Sequence, residues 1–437
     1  MTDPLPTTGV LGPTPSSAQT STTASRRVVI GNVLSLTVGS GISQALMAVA
    51  FLLVARQLGA ASFGEFAASF SAAALTSIVF NLGLDTWLLR AGVYDRENLS
   101  GLLRNAFEIK LLAGLPWLLA LVLILPRLNP ETFHPPLVLV SGLVIWLEGL
   151  FGVGLSVFRT LLRNQMTALL LVASRGGILL LTGILVVAQV QDVMPYALAR
   201  LAAGIVIIMV TMWVLPIKPK RNAAIPLAGT ARESLPFALS DLFASVYVQA
   251  DVTIAGVALG KVAVGLYAPA SSLISALLGF PTSLYYVAVP VLTARLGEDR
   301  NRFRRAVVST LALFSLVGLV MWAIAWLCAG ILPMLLGTSF TGSRALLVIL
   351  SPILLLKGIS FGAAAVLVAV GWQTRRMYVQ GLAAILNVVL NLALIARFGI
   401  TGVAAVYVVS ETFLTIGYLA WVITYLRQSD RSLAPGG

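Results

Sequence analysis

The chain has 437 residues, 58% of them hydrophobic and only 10% charged, a balance that excludes a soluble globular protein. Its formal charge of +13 would suit a nucleic-acid partner, but the basic residues fall at helix ends and in alternate loops rather than on one patch. A single cysteine, Cys328, and a single histidine, His134, leave no material for an internal disulfide, a Cys/His metal site or Cys–His catalysis.

Residues 1–27 are rich in Ser, Thr and Pro, lack an apolar core, and are expected to form a disordered cytoplasmic tail rather than a cleaved signal. From there apolar stretches follow almost without pause, at roughly 28–55, 64–89, 107–126, 137–160, 167–188, 194–216, 235–258, 265–293, 307–333, 345–370, 377–396 and 401–426. Each is long enough to cross about 30 Å of hydrocarbon as a helix. The expectation is an all-α membrane protein of about twelve transmembrane helices. The longest break, 217–234, carries Lys218, Lys220, Arg221 and Arg232 and reads as a cytoplasmic linker between a six-helix lobe at 28–216 and a second at 235–426, with a cytoplasmic tail at 427–437. Outside the helices, only Arg56, Arg127, Lys261, Arg344 and Arg397 fall on the side opposite the termini. This positive-inside bias places both termini in the cytoplasm and makes the high charge a record of topology and anionic-lipid contact, with no nucleic acid implied.

A short signature occurs twice. Leu58-Gly59 through Gly64-Glu65-Phe66-Ala67 to Ser71 returns, at one constant offset, as Leu259-Gly260 through Gly265-Leu266-Tyr267-Ala268 to Ser272. Each copy follows the first helix of its half, so the halves form a parallel repeat, which is a transporter architecture. Pro236, Pro281, Pro290 and Pro352 lie inside or near the ends of second-half helices; each is read either as ordinary curvature or as a bend used in gating.

Two further stretches carry a family resemblance. Pro236-Phe237-Ala238-Leu239-Ser240-Asp241 through Asp251-Val252-Thr253-Ile254-Ala255-Gly256 resembles the start of the second half in the polysaccharide-export flippases. Asn387 through Asn391 to Ile395, running into Phe398-Gly399-Ile400-Thr401-Gly402, is similar to their last helix turn. With the doubled signature, the resemblance spans residues 28–426 and is to the oligosaccharidyl-lipid flippases of the multidrug/oligosaccharidyl-lipid/polysaccharide exporter superfamily. It implies two lobes around a central cavity, open alternately to each face of a bacterial plasma membrane. It also implies an undecaprenyl-pyrophosphate-linked oligosaccharide as cargo, with glycosyltransferases and a polysaccharide polymerase as partners and no cofactor.

Eight ionisable residues fall inside the expected helices: Asp85, Glu148, Arg175, Arg200, Asp241, Asp251, Lys357 and Glu411. A charge at mid-bilayer costs about 2.5–3.5 kcal/mol on insertion scales, so each needs a partner or a wet cavity. Arg175, Lys357 and Arg200 are the candidates for the pyrophosphate or glycan. Aligning the halves sets Glu148-Gly149 against Lys357-Gly358 and Arg200 close to Glu411, opposite charges at corresponding positions. The expectation is that Glu148 meets Lys357, and Arg200 meets Glu411, across the cavity in one access state; the alternative is static pairs that hold helices together. Asp85 and Arg90, five residues apart, are expected to make a local or interlobe contact. Asp241 and Asp251 are candidates for coupling to a sodium or proton gradient, or for structural hydrogen bonds to Ser240, Gln249 or Asn groups. Tyr247, Tyr267, Tyr285, Tyr286 and Trp372 could stack on sugars or mark the membrane interface.

A multidrug extruder of the same fold would offer carboxylates and aromatics to a cation, whereas three intramembrane cations favour an anionic cargo. Peptidoglycan-precursor flippases usually have more than twelve helices. The short outer loops and the lack of a His or carboxylate cluster speak against a membrane enzyme such as a sugar polymerase or ligase.

Overall fold

The computed structural model describes residues 22–220, 226–296 and 299–431. The chain runs through α1 (Thr22–Thr76), α2 (Ile78–Asn81), α3 (Leu84–Tyr94), α4 (Leu99–Leu128), α5 (Pro135–Thr160), α6 (Asn164–Val187), α7 (Val193–Val214) and α8 (Leu227–Ala258). It continues through α9 (Lys261–Leu277), α10 (Gly279–Arg295), α11 (Arg300–Leu327), α12 (Ile331–Leu336), α13 (Ser343–Leu350), α14 (Pro352–Ala369) and α15 (Gln373–Arg431). By length and composition nine spans among the described residues are able to cross a membrane, or ten with the bent α8. The protein is therefore an all-α, multi-pass membrane protein.

The helices are apolar on both faces, as lipid requires. On α4, Leu112, Leu115 and Leu119 face outward while Gly114, Trp117, Leu118 and Leu121 are buried. The largest core cluster draws Phe63, Phe66, Phe70, Phe80, Trp117 and Tyr196 together with Tyr267, Ile274 and Phe340, so it runs between the two halves of the chain.

Two helices are far longer than a bilayer. α1 has 55 residues, which as a straight helix would extend roughly 80 Å. It turns instead at Gly59, whose φ of 73° and ψ of 173° are not helical, and α15 turns in the same way at Gly399. In the second signature Gly260 takes nearly the same conformation as Gly59, with φ 85° and ψ −179°, between α8 and α9. The repeated Leu-Gly thus encodes a repeated backbone turn.

Among the described glycines, the second glycine of each signature has the least room for a Cβ. A Cβ on Gly64 would collide with the carbonyl of Lys261, and a Cβ on Gly265 with the carbonyl of Ala60. Ala60 and Lys261 occupy the same position in the two copies, so the contact is reciprocal. Lys261 Nζ also lies 2.5 Å from Glu65 Oε1, and Asn129 Nδ2 donates to the carbonyls of Gly256 and Val257.

At the other end of these helices the chain breaks between α2 and α3, where Leu82 (φ 45°) and Gly83 (φ 67°) are both left-handed. Gly83 packs directly on the backbone of Phe237 and Ala238 in α8. Trp87 Nε1 donates to Glu233 at 3.2 Å, and Asn105 Nδ2 to Thr230 Oγ1 at 3.0 Å. Here α8 bends by 43° between Leu239 and Asp241, about one turn beyond Pro236.

Several expected boundaries shift. Much of 89–106, read as a connection, is helix in α3 and α4, and α8 already begins inside the stretch read as the 217–234 linker. The apolar run at 64–89 is not one helix but is divided by the Leu82–Gly83 turn. That at 345–370 is divided at Ser351, where Pro352 opens α14. Of the expected tails, residues 1–21 and 432–437 lie outside the described residues, while Thr22 and Arg431 end helices.

Candidate functional site

A cavity of about 350 Å³ lies between the halves. α1 contributes Gln44, Phe51, Phe70 and Ser71, and α5, α6 and α7 contribute Glu148, Arg175 and Arg200. α8 and α9 supply Gln249, Ser271 and Ser275. Ser71 Oγ donates to Gln249 Oε1 at 2.9 Å, a polar tie across the cavity.

Glu148 is the hub of this wall. Its Oε1 accepts from Arg175 Nη1 at 2.8 Å and from Arg200 Nη2 at 3.0 Å. Arg200 is buried, its guanidinium stacks over the Phe70 ring at 4.2 Å, and its Nε has no hydrogen-bond partner. Two guanidiniums against one carboxylate leave the cavity wall with an excess positive charge. In a confined, weakly solvated space that excess attracts anions far more strongly than in bulk water.

The second half builds a separate network. Lys357 Nζ lies 2.8 Å from Glu411 Oε2, and Glu411 is fully buried. Tyr247 OH donates to the same Oε2, Ser360 Oγ donates to Oε1 at 3.2 Å, and the Lys357 ammonium sits 4.5 Å from the centre of the Tyr247 ring. The expected pairs across the cavity, Glu148 with Lys357 and Arg200 with Glu411, are not formed in this structure. Each half closes its own pair instead: Glu148 on α5 with Arg200 on α7, Lys357 on α14 with Glu411 on α15. Corresponding positions do carry opposite charges, so the same pair appears in both halves with its polarity reversed. Lys357 does not line the central cavity.

Asp251 is buried, accepting from Asn391 Nδ2 at 2.7 Å and from Tyr267 OH at 3.1 Å. Asn391 Nδ2 also donates to Asn387 Oδ1, while Asn391 Oδ1 and Asn387 Nδ2 are buried without partners. Of the expected partners of Asp251 the Asn groups are the ones met, through Asn391; the side chain of Ser240 lies outside the described residues. Asp241 shares a second cavity, of about 190 Å³, with Asp85, Asn81, Ser77 and Ser245.

Asp85 does not reach Arg90. It pairs with Lys110 at 2.8 Å, and Lys110 also donates to the carbonyl of Gly149 at 2.7 Å. Arg90 instead lies over the ring of Phe237 in α8, 5.9 Å from its centre, a contact between the halves. An apolar stretch that starts at 107 puts Lys110 at a helix end, which is why the sequence does not single it out. With α4 starting at Leu99, Lys110 lies roughly 16 Å into it and is fully buried.

Among solved structures, this fold is similar to an inward-facing multidrug resistance MATE family transporter of the MOP superfamily, with 16% identity over 90% of this chain and 96% of that one and a TM-score of 0.71. It is also similar to the lipid II flippase MurJ in an inward closed conformation, with 15% identity over 89% of this chain and 87% of that one, at a TM-score of 0.72. A third is a MOP superfamily transporter from Pyrococcus furiosus, described as having a binding pocket of reverse polarity (16% identity, 91% and 95% coverage, TM-score 0.61). Comparison with curated protein sequences gives no match. The family described as MatE matches residues 236–393. The family described as polysaccharide biosynthesis protein matches residues 29–295, more than half of the chain. On that match, and with the fold of a MOP-superfamily transporter around it, the chain belongs to the polysaccharide biosynthesis protein family.

Proposed function

We propose that the protein is an alternating-access flippase for a lipid-linked oligosaccharide in a bacterial plasma membrane. The observation that carries this reading is the Arg175–Glu148–Arg200 arrangement on the central cavity, two guanidiniums with one carboxylate between them. Guanidinium forks suit the oxygens of a pyrophosphate, and a diphosphate displaces Glu148 without leaving either arginine bare. The hydroxyls and amides of Ser71, Gln249, Ser271 and Ser275 suit sugars.

Counting each glycine-turned helix as two spans, and α8 as one, brings the spans to twelve, in two six-helix lobes. With both termini cytoplasmic, the Gly64–Lys261 and Gly265–Ala60 contacts form an outer seal. The Gly83–Phe237 contact then lies at the inner end. Asp251 with Asn387 and Asn391 is the strongest candidate for coupling to a sodium or proton gradient. Asp241 and Asp85 flank the inner cavity, and Lys357–Glu411 stiffens the second lobe. Glycosyltransferases and a polysaccharide polymerase would supply and consume the cargo.

A second reading, export of drugs or other solutes, has specific support. The MatE family matches residues 236–393, and multidrug MATE transporters are among the similar structures. Deletion in the native host separates the two. A flippase leaves lipid-linked repeat units on the cytoplasmic leaflet and surface polysaccharide falls. An exporter of drugs leaves both unchanged while drug sensitivity rises.

A further inference from the structure

Between α8, α10 and the start of α15, the second half holds another cavity, of about 470 Å³, lined by Phe243, Tyr285, Gln373, Thr374, Arg376 and Gln380 among others. Its one charged lining residue is Arg376. Arg376 Nη1 donates to Tyr285 OH at 3.2 Å, and no carboxylate among the described residues pairs with it. The neighbouring Arg375 is used differently, its guanidinium stacked 3.6 Å from the centre of the Trp372 ring and 4.7 Å from that of Trp421. Tyr285 is braced by edge-to-face contacts with Tyr286 and Phe361 at 5.7 and 6.0 Å.

A fixed aromatic ring, two amides, a hydroxyl and one guanidinium without an anionic partner form a specific set. The ring offers a face for a pyranose, the amides and hydroxyl match its alcohols, and the guanidinium has donors left for a carboxylate. A free phosphate would not use the ring, and a neutral sugar would leave the cation without its counter-charge. We propose that this cavity is a subsite for an acidic saccharide, a hexuronic acid or a sugar bearing a similar carboxylate. The inference rests on the flippase reading and narrows its cargo. Phe243 of this cavity and Gln249 of the central one lie on α8 about 9 Å apart along its axis. Both cavities thus border the same helix, α8.

The test uses the full chain in detergent and three soluble probes: a glucuronic-acid oligosaccharide, a neutral oligosaccharide of equal length, and inorganic phosphate. Calorimetric titration is expected to give an affinity for the acidic oligosaccharide about tenfold or more above the other two. Arg376→Gln and Tyr285→Ala are each expected to lose about tenfold of it, Arg376→Lys to retain part, and Gln380→Ala to lose a few-fold. Arg175→Gln, on the central cavity, is expected to leave it unchanged. Equal affinity for acidic and neutral probes, phosphate binding as tightly as the saccharide, or unchanged binding in both Arg376→Gln and Tyr285→Ala would each overturn the proposal. Gln380→Ala serves as the check if either larger substitution lowers thermal stability. Deletion keeps the two ideas apart: if lipid-linked intermediates accumulate but the acidic probe does not bind, only this subsite falls. If no intermediates accumulate, the flippase reading falls with it.

Discussion

At the residue scale, the charges inside the membrane were visible in the sequence, Lys110 excepted, and their partners were not. Hydropathy alone singles out Glu148, Arg200, Lys357 and Glu411, because a charge in an apolar run is costly and conspicuous. Aligning the halves shows which residue replaces which, but contact depends on which helices are neighbours within a half. The structure resolves this: α5 packs on α7 and α14 on α15, so each half satisfies its own charges. The consequence is testable by charge exchange. Lys357→Glu is expected to abolish function, and adding Glu411→Lys to restore part of it, read as surface polysaccharide or transport in vesicles. Exchanging Glu148 with Lys357 is expected to rescue nothing. Glu411→Gln leaves Lys357 largely buried beside a neutral amide, at a cost of about 3 kcal/mol that a thermal or denaturant titration should register. In the central cavity, Arg200→Gln should lower the unfolding midpoint more than Arg175→Gln, since Arg200 is the more deeply buried partner of Glu148.

At the scale of elements, the number and order of apolar runs follow from composition, while the breaks within them depend on single residues that hydropathy averages away. The Leu82–Gly83 turn is such a break: it divides one apolar stretch and sets α3 against α8. Pro236 was legible inside α8, because proline declares itself in any helix, whereas the bend about one turn beyond it and the short helices α12 and α13 were not. The doubled glycine was legible as a repeat but not as a contact. Gly64 and Gly265 each face a carbonyl of the other half, so neither has room for a methyl group. Gly64→Ala and Gly265→Ala are therefore expected to weaken the same seal to a similar degree, each destabilising by about 1–3 kcal/mol through overpacking. The double substitution should cost less than the sum, because the first already parts the helices.

For the whole molecule, alternating access requires that this seal open. With the exposed Cys328 first replaced by Ser, cysteines at Glu65 and Lys261 joined by a short reducible linker should arrest transport, and reduction should restore it. Transport that continues when the two are fully joined would mean that these ends never part. The seal also describes how such a molecule could be assembled. Its geometry is that of an isologous dimer interface, with Gly64 over Lys261 and Gly265 over Ala60 related as if by a two-fold axis. Its charge is not symmetric: the position matching Lys261 is Ala60, and the one matching Glu65 is Leu266. Two first halves would oppose Glu65 with alanine, and two second halves would oppose Lys261 with leucine. Only a first half with a second half completes the ion pair, so shape permits self-pairing of either half while charge selects the mixed one.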